Sequence, residues 1–365
     1  MTLLSRREML RGASAAALTG ILPAAAAENM RIGVLYVGSR TDFGYNQAHA
    51  EGAAALRKLP GVTVIEQERV PESVACTNAM ASMIQLNGAS LLFPTSFGYF
   101  DPYVLKSAAK NPNVTFMHCG GLWQAGNPPN AHSYFGYIDE AVYISGLVAG
   151  RMTKANKFGF VAAKPIPQVL RNINAFMLGA QSVNPAAKMQ VIFTGDWSLP
   201  VREAEATNSL ADQGADVITC HVDSPKVVIQ TAESRGLHTC GYHTNQAPLA
   251  RNGYLTGAEW NWASYYPKIV TDLRAGKKLA NVIRGGFKEA VIKNSPFHAS
   301  VPPAVRAQAD SARAALTDGR LAIFKGPLKD NKGNTLLAAG TALDGHNPAL
   351  ERMNYLVAGI AGSTG

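Results

Sequence analysis

The stretch RIGVLYVGSRTDFGYNQAHAEGAAALRKL (31–59) decides the fold. Its first eight residues, apolar and holding Ile32, Val34 and Val37, predict a strand over 31–38, because β-branched chains suit a pleated surface. A polar loop then leads into an alanine-rich stretch that predicts a helix over 45–58. Strand, loop and helix in that order open a βαβ unit. The rhythm recurs, with strands near VTVIEQE (62–68), SLLFPTS (90–96) and VTFMHCG (114–120) and helices at 73–87 and 100–110. A second set has strands near KFGFVAA (157–163), MQVIFTG (189–195), DVITCHV (216–222) and LHTCGY (237–242), with helices at 167–183, 201–213 and 224–235. These runs are continuously apolar, as strands of a sheet covered on both faces are.

Between the two sets, HSYFGYIDEAVYISGLVAGRM (132–152) starts as a strand and becomes a helix with Val142, Gly146 and Ala149 on one close-packing face, which marks a crossing segment. After 253, YLTGAEW (254–260) and KEAVIKN (288–294) read as strands around a helix at 262–275, and the chain is expected to return there to the first half. A helix at 303–317 and a hairpin-like stretch over 322–340 follow. The expected architecture is α/β, two Rossmann-like doubly wound lobes with a hinge and a central cleft. Residues 31–138 plus about 254–295 make lobe 1, and 139–253 plus part of 296–365 make lobe 2.

Residues 1–27, MTLLSRREMLRGASAAALTGILPAAAA, read as an export signal of twin-arginine type, with Arg6 and Arg7 ahead of a weakly apolar stretch and Ala25-Ala26-Ala27 as the cleavage site. Thr19, Gly20 and Pro23 interrupt that stretch, which is shorter than the roughly 20 residues a membrane span needs. The first cysteine is Cys76, so no lipid-anchoring cysteine follows the cleavage site. The expected product is soluble in the periplasm. Loss of Arg6, Arg7, Arg11 and Glu8 takes the formal charge from +9 to +7, and the remaining lysines and arginines are scattered. No basic helix is interleaved with base-stacking aromatics, so nucleic acid is not an expected partner.

The chemistry of most enzymes is missing from the sequence. No GxGxxG follows the first strand, and GxxxxGK[ST] and GxSxG strings are absent. Cys119 sits at a strand end where a thiol nucleophile could act, but Met117 stands where a sharp elbow needs glycine. The histidines and cysteines of 118–119, 220–221 and 238–243 show no compact ligand spacing, so neither a metal nor a cofactor is expected. Cys220 and Cys240 leave both a bridge and buried free thiols open.

In open parallel sheets ligands meet the loops at the carboxyl ends of the strands. Those loops are aromatic here: Phe43 and Tyr45 after the first strand, Phe97 after the third, Trp197 in the second half and Trp260 later. A flat ligand held between two lobes needs such rings above and below it and a few polar groups at its edge. Asn46, Ser96, Asp223, His243 and Asn245 are the candidate edge readers. Asp42 and Asp223, each ahead of a helix, read equally as helix caps.

The strings TDFGYNQAHAEG, FPTSFGYFDP, YIDEAVYISGLVAG, NINAFMLGAQSVNP, GDWSLPVREAEATNSLADQGADVI and GYHTNQ, over about 31–295, resemble the basic membrane protein (BMP), or purine-nucleoside receptor-like, family of ABC-transporter substrate-binding proteins. The resemblance implies a type I periplasmic binding protein that closes on a purine nucleoside or nucleobase and delivers it to a membrane permease and ATPase. It implies a monomer without catalytic activity. It places Asn46, with Phe43 and Tyr45 beside it, in the first binding loop, Phe97 in the second, Trp197 stacking from the other lobe and Asp223 in the cleft. Three departures stand out: Cys119-Gly120 where family members carry an aspartate, His243-Thr244-Asn245-Gln246 for a D-x-D-Q string, and Trp260 for a lysine. These groups are typical of ribose recognition, so an adenine-like nucleobase is expected over a nucleoside. The alternatives are a ligand-sensing protein for another heterocyclic or amide solute and an exported hydrolase using Cys119.

Overall fold

The structure, a computed structural model, describes residues 29–364; the export segment expected over 1–27 lies outside them. The first elements are β1 (Met30–Leu35), α1 (Tyr45–Leu56), β2 (Val62–Gln67), α2 (Val74–Gln85), β3 (Leu91–Pro94), α3 (Leu105–Lys110), β4 (Thr115–Cys119) and β5 (Ala131–Gly136). There follow α4 (Asp139–Met152), β6 (Lys157–Ala162), α5 (Pro167–Gln181), β7 (Lys188–Phe193), α6 (Pro200–Asp212), β8 (Val217–His221), α7 (Lys226–Ser234), β9 (His238–His243) and β10 (Tyr254–Trp260). The chain ends with α8 (Trp262–Arg274), β11 (Val282–Gly285), β12 (Ile292–Asn294), α9 (Pro303–Thr317), β13 (Leu328–Lys329), β14 (Thr335–Leu337) and β15 (Ile360–Ala361). Among the described residues no helix is long and apolar enough to cross a membrane.

Two sheets result. One is wholly parallel in the order β11-β5-β4-β3-β1-β2; the other runs β12-β10-β9-β8-β6-β7-β15 and is parallel except for β12. In each sheet the chain starts at an inner strand, β1 or β6, and adds strands on both sides of it, so a crevice opens at the carboxyl ends of β1 and β3 and of β6 and β8. The chain passes between lobes at β5 to α4, β10 to α8 and β11 to β12. The helix α4 is buried from Ala141 to Gly150, and a Cβ on its Gly146 would stand 2.0 Å from the Phe176 carbonyl oxygen of α5. That contact makes the small residue obligatory where the two helix backbones touch.

The structure corrects the lobe boundary. The strand at 254–260 does not return to the first lobe: β10 pairs in parallel with β9, with Gly257 opposite Gly241, and antiparallel with β12, with Ala258 opposite Asn294. Only α8 and β11 belong to the first lobe, and β12 re-enters the second. A strand buried along its whole length reads alike in either sheet, so local pattern could not choose. The helix expected over 100–110 is regular only from Leu105, because irregular turns over 97–104, where Asp101 is non-helical, precede it. Cys76, Cys119, Cys220 and Cys240 are buried free thiols. Ile218 lies opposite Thr239, so Cys220 and Cys240 are one residue out of register and point to opposite faces of the sheet.

At the β10–α8 crossing, Trp260 of one lobe stacks on Trp262 of the other at 5.1 Å and 9°. Trp262 stacks in turn on His49 of α1 at 5.5 Å and 9°, while His243 lies 6.4 Å from Trp260. This column of rings ties β9 to α1 through the hinge. The C-terminal segment adds the β13–β14 hairpin and the edge strand β15 on β7. It also sets Glu351 3.9 Å from Arg171 of α5 and 3.9 Å from Arg284 of β11, an arginine of each lobe.

Candidate ligand-binding site

A cavity of about 460 Å³ lies at the carboxyl ends of the strands where the lobes face each other, a size ordinary for small-molecule sites. Val37, Tyr45, Glu72, Ser96, Phe97, Cys119 and Phe135 line it from the first lobe. Ile166, Gln168, Asp196, Trp197, Ser198, His221, Asp223, His243 and Trp260 line it from the second. A smaller cavity of about 270 Å³ under the C-terminal segment, lined by Asp139, Glu140, Asp318 and Asp344 among others, lies away from these strand ends.

Seven expected residues are thus brought together: Tyr45, Ser96, Phe97, Trp197, Asp223, His243 and Trp260. Phe97, at the cavity mouth, is 57% exposed and keeps a ring face open to solvent. Trp197 is half-buried, tilted 6.1 Å from His221, with Lys164 over its ring at 6.0 Å. One aromatic face is therefore offered by each lobe.

Phe43, Asn46 and Asn245 are not in the cavity lining, and their polar contacts explain why. Asn46 is buried, takes the Gly38 N–H on its Oδ1 (3.0 Å) and donates its Nδ2 to Asp42 (2.8 Å), bracing the β1–α1 loop. Asp42 in turn accepts the N–H groups of Gly44, Asn46 and Gln47, so the capping reading of this residue is the correct one. Asn245 accepts the Ala247 N–H (2.9 Å) and closes a turn. Phe43 adopts φ +55 and presents its carbonyl to the Gln246 Nε2 of the opposite lobe at 2.6 Å.

That last bond is one of several joining the lobes. The Tyr45 N–H donates to the Asp223 carbonyl (2.9 Å), the Ser224 hydroxyl to the Asp42 carbonyl (3.0 Å) and the Thr244 hydroxyl to Glu51 (2.8 Å). All four gather along α1 and the loop before it, so the lobes are closed on this side.

Inside the cavity most polar groups are already engaged. Ser96 donates to Glu72, which also accepts the Gly98 N–H. Tyr45 donates its hydroxyl to the Thr95 carbonyl, and Asp196 holds Lys164 and the Trp197 N–H. The Trp260 indole N–H donates to His243 Nδ1 (2.9 Å), which leaves Nε2 of that ring to donate to the Val222 carbonyl (3.1 Å). His243 therefore faces the cavity as a ring rather than as the edge reader expected. His221 is bound by Asn172 and Tyr242. Burial pushes His221 down to about 3 and His243 well below its ordinary value, so both are neutral.

Sequence reasoning missed Glu72, Phe135, Gln168, Asp196, Ser198 and His221 as lining residues. Glu72, Gln168, Asp196 and Ser198 carry no ring to mark them, but position could find some of the six: Asp196 and Ser198 flank Trp197, and His221 closes β8. Cys119 belongs to the wall, yet burial holds its thiol up at about 12, and neighbouring His118 is bound to Ser133 and the Ser96 carbonyl. A thiol held in its protonated form by burial, beside a histidine whose two ring nitrogens are already bound, lacks the adjacent base that activates a nucleophile. Among the described residues no group of three or more His, Cys, Asp or Glu is arranged to hold a metal ion.

Two α/β lobes closed over an aromatic cavity define a periplasmic-binding-protein fold, and the comparisons agree. The chain matches the family of PnrA-like ABC transporter substrate-binding proteins over residues 29–314, and it belongs to that family. It is 35% identical over 337 residues to a protein of Brucella abortus (strain 2308) named as purine-binding, covering 92% of this chain and 94% of that one. It is 29% identical over 319 residues, 85% of this chain and 78% of the other, to a Haloferax volcanii protein provisionally named as an ABC transporter glucose-binding protein. Among solved structures, an ABC transporter solute-binding protein from Conexibacter woesei DSM 14684 superposes with a TM-score of 0.67 at 22% identity, covering 80% of this chain and 97% of that one. This last likeness bears on the fold alone.

Proposed function

We propose that this protein is the exported, periplasmic binding component of an ABC importer, and that it captures a purine, an adenine-like base in preference to a nucleoside, for a membrane permease and ATPase. It works as a monomer, without a cofactor and without catalysis. The observation that carries the base preference is the inner wall of the cavity. Where the family resemblance leads one to expect charged groups for a ribose, this chain has the Cys119 thiol, the His243 ring with both nitrogens engaged and the apolar face of Trp260. A ribose placed there would bury hydroxyls without partners, at about 1–3 kcal/mol each. Phe97 and Trp197 supply ring faces from opposite lobes, and the purine-binding name of the Brucella relative agrees with a flat aromatic ligand.

Titration calorimetry with adenine, hypoxanthine, adenosine and inosine, and with glucose as a control, tests this reading. Adenine is expected to bind more tightly than either nucleoside; adenosine or inosine binding much more tightly would overturn the base preference. Trp197→Ala should weaken binding of every purine by about 1–3 kcal/mol, roughly 5- to 150-fold, through loss of one stacking partner. An unchanged affinity in that variant would place the ligand elsewhere.

A further inference from the structure

Asp223 stands apart from the other polar groups of the cavity. Its backbone is tied at both ends, the N–H to the Trp197 carbonyl (2.8 Å) and the carbonyl to the Tyr45 N–H of the opposite lobe (2.9 Å). The residue is thus fixed at the junction of the lobes, beside the Trp197 platform. Its carboxyl lines the cavity and, among the described residues, makes no hydrogen bond and no ion pair. The remaining lining residues whose side chains make no hydrogen bond, Gln168 and Ser198 among them, carry no charge at all.

Resting on the purine reading above, we propose that Asp223 is the specificity-determining residue of the site and that it works as an uncharged carboxylic acid. It donates its O–H to a ring nitrogen of the ligand while its carbonyl oxygen accepts the adjacent exocyclic N–H. An acid of this form pairs with an edge that carries one acceptor and one donor side by side, which adenine presents at N1 and N6 and again at N7 and N6. A carboxylate has only acceptors and cannot answer the ring nitrogen.

The surroundings keep the acid form. Acidic groups face it from several elements: Asp42 on the β1–α1 loop, Glu72 on the β2–α2 loop, Glu203 on α6 and Asp196 ahead of α6. Lys164 is paired with Asp196, and Lys226, three residues on from Asp223, lies over the Phe43 ring at 6.0 Å. His221 and His243 are neutral and, with their nitrogens occupied, neutralise nothing. Burial first, then the charge of Asp42, pushes Asp223 up to about 8.

The sign of the pH effect follows. Below about pH 8 the acid is in place and binding is at full strength; above it a proton must be taken up with the ligand, so affinity falls as pH rises. From pH 7 to pH 9 adenine affinity should drop about tenfold, and at pH 8.5 about 0.8 proton should be taken up per adenine bound. Calorimetry of the full mature chain in buffers of different ionisation enthalpy measures both. Asp223→Asn, whose amide also offers a donor and an acceptor, should bind adenine within about threefold of wild type at pH 7, with no proton uptake and a flat profile. Asp223→Ala should lose about 5- to 150-fold at pH 7, the range for two lost hydrogen bonds, and the gap to wild type should narrow towards pH 9 because the variant's own profile is flat. Melting curves of both variants show whether the lobes still fold. A flat wild-type profile without proton uptake, or uptake that persists in Asp223→Asn, overturns the assignment while leaving purine binding intact. If no purine binds wild type at any pH, the functional reading itself fails and this assignment fails with it.

Discussion

Gly44→Ala is expected to weaken adenine binding on the order of 100-fold while leaving the ligand-free protein as stable as wild type to within about 0.5 kcal/mol. The residue precedes α1, and a Cβ there would lie 2.0 Å from the Asp223 carbonyl oxygen and 2.7 Å from Pro225 Cδ. The three atoms nearest to that Cβ belong to the opposite lobe. The closest is backbone, so no side-chain rotation relieves the contact. The steric cost, up to roughly 3 kcal/mol, therefore falls on the closed form alone and is relieved by opening. A binding-competent state that is populated less lowers apparent affinity by the same factor. The clash would also break the Tyr45 to Asp223 backbone bond that helps to hold the lobes together. Calorimetry paired with a thermal melt checks the result: wild-type affinity in this variant would mean that ligand is held without full closure.

Trp260→Ala should destabilise the protein by about 3–5 kcal/mol, the usual cost of removing a large buried aromatic, and lower Tm by roughly 6–10 °C. The side chain is 2% exposed, stacks on Trp262 and fills the space above Gly136, where a Cβ would meet its ring at 2.6 Å. Its removal also leaves His243 Nδ1 without a donor inside the protein. Since Trp260 and Trp262 belong to different lobes, the loss should show as weakened coupling between them, seen by calorimetry as a broadened or divided transition. Trp260→Phe, which keeps a ring on the stack, should recover most of the stability but not the bond to His243. A melt unchanged by Trp260→Ala would mean that the ring column does not join the lobes.

The amount of this protein legible in its sequence differs between levels. Strand and helix order follow from local hydrophobic period, and that period is visible residue by residue, as in β1 and α1. The ring-bearing loops could be found because parallel strands present their carboxyl ends to a ligand, and Phe97, Trp197 and Trp260 do line the cavity. Polar residues were harder. Asn46, in the first turn of α1, and Asp223, just ahead of α7, both stand where a strand-to-helix connection meets its helix, yet Asn46 is consumed by Gly38 and Asp42 while the Asp223 carboxyl is left unpaired. Which of the two meets the ligand depends on partners that are distant in sequence or set by the path of the loop.

The sequence by itself determined the two α/β halves, the aromatic loops at their strand ends and the missing catalytic strings, because each is a property of residues near one another along the chain. Only the tertiary structure decided that β10 joins β9 and not the first sheet, that Glu351 stands between an arginine of each lobe and that Asp223 faces the cavity unpaired. Each of these is a contact between segments far apart in sequence. Its energy comes from pairing, burial and charge that exist only once the lobes are folded against each other.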